Sequence, residues 1–552
     1  MKNKLKITLV SSVAMFVTAC GGGGASAPAP VVVTPPPVSG PTPTTPVTIS
    51  GAATYDHVPF NTTTNGLNYA NTQPRPIRGA VIEAVNGSGT VLDSTVSDAS
   101  GNYSVTVDPN VTVRIRVKAQ LLQTTGAKWD VRVTDNTSSN ALYSAAGNLT
   151  SSGVSNSTRN LHAASGWTGS AYTETRVAAP FAILSPIYDT VTKFGAVDSN
   201  VDFPMVEFRW STQNRAASGD VANGEIGTSS YVTSNGEGSI YILGDANSDT
   251  DEYDDHVVVH EWGHYFENVL SRSDSIGGAH GGGDALDSRV AMGEGWGNAL
   301  SAMMTGDSFY RDSSGSNQSM GFSFDVEENN FTNRGWYSEA SVQGIILDIF
   351  DSNNEAGDNV ALGLGPIYDV MTSASYKASP VFTTIYGLLD GIEGHTPSAI
   401  GGINQLKSAQ SIDGTGIYGT GETNSGGVAS ALPVFHTATV NGSALEVCSV
   451  NDKGSYNKLG NRVHIRLSVP ATGSHTITMT RKSGLTARDP DFNIYKAGAA
   501  IAQGLSGTTD SETWTGNLDA GEYMIDAYDY NNTNQQGSAS AGDSCYDFTV
   551  TQ

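Results

Sequence analysis

The chain has 552 residues, 38% hydrophobic and 15% charged, with 63 glycines, which makes it too long for one ordinary core and unlike a coiled coil or a disordered polyelectrolyte. Against 54 Asp+Glu stand 29 Lys+Arg, a formal charge of −25, so the long-range field repels phosphate backbones and anionic surfaces and argues against nucleic acid as a partner. Roughly three folded units plus tails are expected, and solubility in a salty or extracellular medium is the simplest account of the acidity.

The first residues, "MKNKLKITLVSSVAMFVTAC", place Lys2, Lys4 and Lys6 before an apolar stretch from Ile7 to Val17, with small residues leading to Cys20. This is the pattern of an export signal, and its apolar core is far short of the roughly 20 residues a spanning helix needs. "VTAC" resembles a bacterial lipobox, which implies a lipoprotein signal peptide over 1–19 and a lipid on Cys20; the alternative is an ordinary signal peptide with an incidental cysteine. Residues 20–47 form a Pro/Thr-rich linker, extended and without a core. The expected location is the bacterial cell envelope, lipid-anchored and most simply in the outer membrane, or the medium, with membrane contact only through lipidated Cys20.

Between 48 and 164 the segments "GAVIEAV", "YSVTV" and "VTVRIRVKA" alternate or run β-branched, and "SDASGN" is turn chemistry. A small antiparallel sandwich is predicted. The run "GAVIEAVNGSGTVLDSTVSDASGNYSVTV" resembles the carboxypeptidase regulatory-like modules, which implies a transthyretin-like β-sandwich without catalytic residues.

From 165 to 432 helical patterns mix with glycine-rich loops. The acidic "DANSDTDEYDD" alternates Asp245, Asn247, Asp249 and Asp251, an order that raises Ca2+ as a cofactor. It departs from the EF-hand template, with Thr250 in place of glycine and His256 in place of glutamate, and the alternative is a solvated acidic loop that caps the next helix. Then comes "VVVHEWGHYF". On a helix, His260 and His264 stand nearly one above the other and can present both imidazoles to one point, while Glu261 leans over the same side. Zn2+ takes nitrogen and oxygen ligands and keeps a position open for water in catalytic sites, so two histidines holding the metal and a glutamate taking a proton from its water is the predicted chemistry. The third ligand is expected to be Glu294 in "MGEGWGNALSAM", with Asp287 in "ALDSRV" as the alternative and a carboxylate that merely favours a helix N-terminus as the plain reading.

"HEWGHYFE" followed by "GEGWGNA" resembles the glutamate-zincin metallopeptidases, nearest the fungalysin type and more distantly thermolysin. The resemblance implies His260, His264 and Glu294 as zinc ligands and Glu261 as general base. Asn298 stands where the fungalysin pattern has an aspartate oriented towards a ligand histidine; an amide still accepts a ring N–H but raises ligand basicity less. For the oxyanion donor the sequence offers Tyr337, His280 and His395, and Tyr337 is preferred because it immediately precedes a strong helix. Ser239 to Asp245, "SIYILGD", reads as a strand, and the resemblance implies an edge strand that pairs with extended substrate.

Residues 433–552 return to strands, as in "NRVHIRLSV", "SHTITMT" and "GEYMIDAYDY". With "DPDFNIY" this part resembles the pre-peptidase C-terminal modules, which implies a second β-sandwich. Cys448 and Cys545 are an even pair in an exported protein, so a disulfide is expected. The chain as a whole is expected to be multidomain, an α+β zincin-type metallopeptidase domain flanked by two all-β sandwich domains. The function implied is zinc-dependent endopeptidase hydrolysis of polypeptide substrates. The alternatives are a cell-surface adhesin with an inactive peptidase fold and an exopeptidase, which would need a charged anchor for a substrate terminus.

Overall fold

Period-two burial organises the first part of the molecule. In a computed structural model of the chain, which describes residues 45–234, 236–352, 358–535 and 537–552, the strands are β1 (Val47–His57), β2 (Ala80–Asn86), β3 (Val91–Val96), β4 (Asn102–Val107), β5 (Thr112–Gln123) and β6 (Trp129–Asp135). Along β5 the buried Val113, Ile115, Val117 and Ala119 alternate with partly exposed residues, so one face meets the core. β1 pairs antiparallel with β4, Ile49 opposite Val105, in one sheet, and β2, β3, β5 and β6 belong to a second. The signal peptide, Cys20 and most of the linker lie outside the described residues.

The second sheet continues across the boundary expected at 164/165. After helix α1 (Ala179–Val197) come β7 (Val206–Trp210), β8 (Ser230–Ser234) and β9 (Glu237–Ile242). β7 pairs in parallel with β6, Val206 opposite Val131, and the strands of one continuous path run β8-β9-β7-β6-β5-β2-β3. The physical reason is the edge of β6: β7 covers it with a buried Val206, Phe208 and Trp210 face, and one apolar core spans both parts. β9 is held between β7 and β8, so Ser239–Asp245 does not provide the sheet edge expected of it; β8 does.

Helices α2 (Asp255–Val269), α3 (Ser288–Thr305) and α4 (Glu339–Phe350) pack side by side, with the hairpin β10 (Phe309–Ser314) and β11 (Met320–Asp325) between the last two in sequence. α3 is buried on all sides from Ser288 to Met304, which explains why it shows no apolar stripe of its own. Aromatic rings from α1, α2 and α3 meet there: Phe194 lies 5.1 Å from Phe266, and Phe266 lies 5.4 Å from Trp296. Among the described residues no helix is long and apolar enough to cross a membrane.

The last part is a sandwich of a five-stranded and a four-stranded sheet with a separate core that includes Ile465, Ile477, Phe492, Ile525 and Phe548. Cys448 and Cys545 face each other across neighbouring strands and form a disulfide, as the cysteine count predicted. The bond closes a loop of 97 residues, and restricting that loop in the unfolded chain contributes about 4 to 5 kcal/mol. A buried ion cluster ties this sandwich to the start of α3. Arg289 donates from Nε and Nη2 to Asp287 at 2.9 and 2.8 Å, its Nη1 lies 3.3 Å from Asp526 of the strand Gly521–Asp529, and Arg462 donates to the same Asp526 at 2.7 Å.

Candidate metal centre

Asp287 caps α3 through a 3.0 Å hydrogen bond from the Arg289 backbone N–H. This commitment, together with the Arg289 pair, removes Asp287 as the alternative third ligand and fixes where the next turns of α3 point. Seven residues on, Glu294 faces α2. Its Oε2 lies 3.2 Å from His260 Nε2 and 3.4 Å from His264 Nε2, and the two Nε2 atoms are 3.1 Å apart. One ligand atom from each of the three residues falls within 4.8 Å of the others. The helical spacing read in the sequence therefore converges, with Glu294, on one point.

The approach of α3 to α2 depends on two glycines. A Cβ on Gly297 would stand 2.7 Å from Nδ1 of His260, and one on Gly263 would stand 3.3 Å from the Gly297 Cα. The empty space at Gly297 is the seat of the His260 ring. That ring is then oriented by a chain of amides. Gln343 on α4 donates its amide nitrogen to the Val326 carbonyl at 3.5 Å, so its oxygen accepts from Asn298 Nδ2 at 2.9 Å. The Asn298 oxygen is left to accept from His260 Nδ1 at 2.9 Å. With Nδ1 protonated, the Nε2 lone pair faces Glu294, the tautomer a metal ligand needs. Asn298 thus orients the His260 ring as an amide. His264 Nδ1 faces the buried Glu267 carboxylate at 3.7 Å.

The field of the site favours a cation. Burial disfavours a charged His264, but the carboxylates of Glu294, Glu267 and Glu261 outweigh it and hold the imidazole well above its ordinary range. Burial likewise opposes the Glu294 carboxylate, and the charge and hydrogen bond of His264, with the His280 charge, help to overcome it, holding the carboxyl well below the usual value. Two imidazoles and a carboxylate around one point fit Zn2+ by ligand type, number and mutual reach.

Glu261, mostly buried, accepts the Tyr231 N–H of β8 at 2.7 Å, and burial pushes its carboxyl up. The centre opens into a cleft of about 630 Å³ walled by Ser230, Tyr231 and Thr233 of β8 on one side and the 277–280 loop on the other. His280 reaches in from that loop: Nε2 lies 3.2 Å from Glu294, and Nδ1 pairs with Glu339 at 2.7 Å. Burial lowers its pKa, but the Glu339 and Glu294 carboxylates prevail and raise it to about 9.

Tyr337, the preferred oxyanion donor, does not line the cleft. The Ser338 cap of α4 leaves residue 337 outside the helix, where its O–H is committed to the Arg334 carbonyl and the Asn424 amide oxygen at 3.1 and 3.0 Å. His395 pairs with Asp369 at 3.4 Å and borders a different cavity, with Val370 and Phe382. Of the three donors considered, His280 is the one beside the centre. Of the acidic loop, Asp245 accepts the Asn247 N–H of its own turn, whereas Asp249 and Asp251 turn towards Asp312 of β10.

Residues 209–378, which include His260, Glu261, His264 and Glu294, match the family model of the Mycolysin C-terminal domain. No curated protein matches the chain. Among solved structures, the chain is similar to the pre-peptidase C-terminal domain of a collagenase from Bacillus anthracis, at 13% identity and a TM-score of 0.16, over 21% of this chain and 93% of that one. It is also similar to PliG from Aeromonas hydrophila, a periplasmic inhibitor of g-type lysozyme, at 19% identity and a TM-score of 0.14, over 21% and 96% of the two chains. A family 35 carbohydrate-binding module from Clostridium thermocellum aligns at 21% identity and a TM-score of 0.13, over 19% of this chain and 89% of its own.

Proposed function

We propose that this chain is an exported zinc-dependent endopeptidase, with an α+β zincin-type domain between two β-sandwich parts. The observation that carries the reading is the convergence of His260, His264 and Glu294 on one buried point with Glu261 alongside. The match of residues 209–378 to a domain of mycolysin, a kind of peptidase, supports it.

His260, His264 and Glu294 would hold the ion, which when bound supplies Lewis-acid chemistry that acidifies water and polarises a carbonyl. Glu261, buried and with its carboxyl pushed up, takes a proton from the attacking water as the new C–O bond forms. It then delivers that proton to the amide nitrogen as the C–N bond breaks. His280, held by Glu339, donates from Nε2 to the oxyanion in place of Tyr337, which does not line the cleft. β8 has one free edge along the cleft and offers it to an extended polypeptide. No Lys or Arg is among the described residues that line the cleft, and its cationic imidazoles already face the carboxylates of Glu294, Glu267 and Glu339, which favours internal cleavage over anchoring of a substrate carboxyl terminus. The lipid on Cys20 would keep the enzyme at the bacterial envelope, with polypeptides as its partners.

Casein hydrolysis before and after treatment with 1,10-phenanthroline tests the reading. Cleavage is expected to vanish on chelation and to return with added Zn2+. Cleavage that persists without metal would refute the metal mechanism, and no cleavage at all would favour the adhesin reading.

A further inference from the structure

At the start of α2, less than two helical turns before His260, four aspartates meet without a basic partner among the described residues. Asp249 and Asp251 come from the loop that leads into α2, Asp254 is the residue just before that helix, and Asp312 comes from β10. One carboxylate oxygen from each of Asp249, Asp251 and Asp312 lies within 4.8 Å of the others. Asp254 is fully buried and accepts from the Ser313 N–H at 2.8 Å and from the Ser313 hydroxyl, which holds its carboxylate against the hairpin beside Asp312.

A group of acids alone signifies little, because exposed ones are solvated. Here the second observation is Asp251. It is only 3% exposed, its Oδ2 is engaged by the Ser229 hydroxyl, and its Oδ1 is buried with no hydrogen-bond partner. The Oδ1 of Asp249 is also buried and without a partner. Unpaired buried carboxylate oxygens that face further carboxylates cost several kcal/mol unless an opposite charge sits among them. The strongest charges acting on Asp251 are Asp312, Asp249 and Asp254. Burial, with Asp249 adding its charge, pushes Asp312 up to about 7, and burial pushes Asp249 up to about 6. Among the described residues, the charges that act most strongly on Asp251 include no positive one.

We propose that Asp249, Asp251 and Asp312, with Asp254 behind them, bind a calcium ion that fastens the N-terminus of α2 to the β10–β11 hairpin. The donor set is all oxygen, which suits a hard cation and not Zn2+. Ca2+ sits about 2.3 to 2.6 Å from each oxygen, so one ion can reach three carboxylate oxygens that lie within 4.8 Å of one another. Mg2+ gives up its waters reluctantly and usually keeps several, so Ca2+ is better suited to a corner in which Asp251 and Asp254 are buried. The ligands come from two segments some sixty residues apart, so the ion acts as a clasp under the helix that carries His260 and His264. The EF-hand comparison missed this because the third ligand comes from outside the loop.

The test uses the full chain, freed of calcium on a chelating resin and reloaded with Zn2+. Equilibrium dialysis is expected to show one Ca2+ bound per chain, and 1 mM Ca2+ should raise the midpoint of thermal unfolding by at least about 3 °C. Asp312→Asn removes one charge: it should lose the calcium shift and, without calcium, melt above the wild type because one repulsion is gone. Wild type that binds no calcium, an Asp312→Asn protein that keeps the full shift, or an equal shift with 1 mM Mg2+ would overturn the assignment. Binding and unfolding are read without any peptide substrate, so failure here is distinguishable from failure of the peptidase reading.

Discussion

Glu261→Gln is expected to lower casein hydrolysis by a factor of about 10² to 10⁴ while zinc content stays unchanged. The side chain keeps its size and its oxygen can still accept the Tyr231 N–H, so β8 and α2 hold their places. What is lost is the basic oxygen that takes a proton from water. Glu261 is not one of the three convergent ligands, which is why activity and metal content should separate in this variant. Activity within threefold of wild type would mean that another group moves the proton, and Glu267 would be the next residue to examine, since it lies buried beside His264.

Arg289→Met is expected to destabilise the protein by about 3 to 5 kcal/mol, read from urea unfolding. The guanidinium is almost wholly buried, bridges Asp287 and Asp526, and lies over the Phe382 ring with its carbon 4.6 Å from the ring centre. Its removal leaves two buried carboxylates with only Arg462 and His464 to face them. The effect should spread to the centre, because Asp287 also caps the helix that presents Glu294. Zinc affinity should therefore fall together with stability. A loss below about 1 kcal/mol would show that the cluster adds little to the joining of the sandwich and α3.

The convergence of the candidate metal residues was readable because a helix turns their chemistry into spacing: His260, Glu261 and His264 share one turn, and Glu294 lies on the next helix. Asn298 was readable for the same reason, one turn beyond Glu294. The place of His280 beside the centre was not, although the residue was among the candidates, because it sits in "GGAHGGGD", where no periodicity relates a residue to its neighbours in space. Tyr337 looked better placed only because a strong helix follows it. The sheet edge was missed because "SYVTS" is short and polar; it forms a strand by pairing with β9 rather than by burying a face. Crossing of the 164/165 boundary by one sheet also escaped detection, since parallel pairing of Val206 with Val131 leaves no local mark. The disulfide needed only a count of cysteines in an exported chain.

Metal analysis of the purified wild type and of Glu294→Ala, dialysed together against metal-free buffer, tests the central claim most directly. One zinc per chain in the wild type is expected, with most of it lost from the variant. A wild type without zinc, or a Glu294→Ala protein that keeps a full equivalent, would contradict the assignment of His260, His264 and Glu294 as the metal centre.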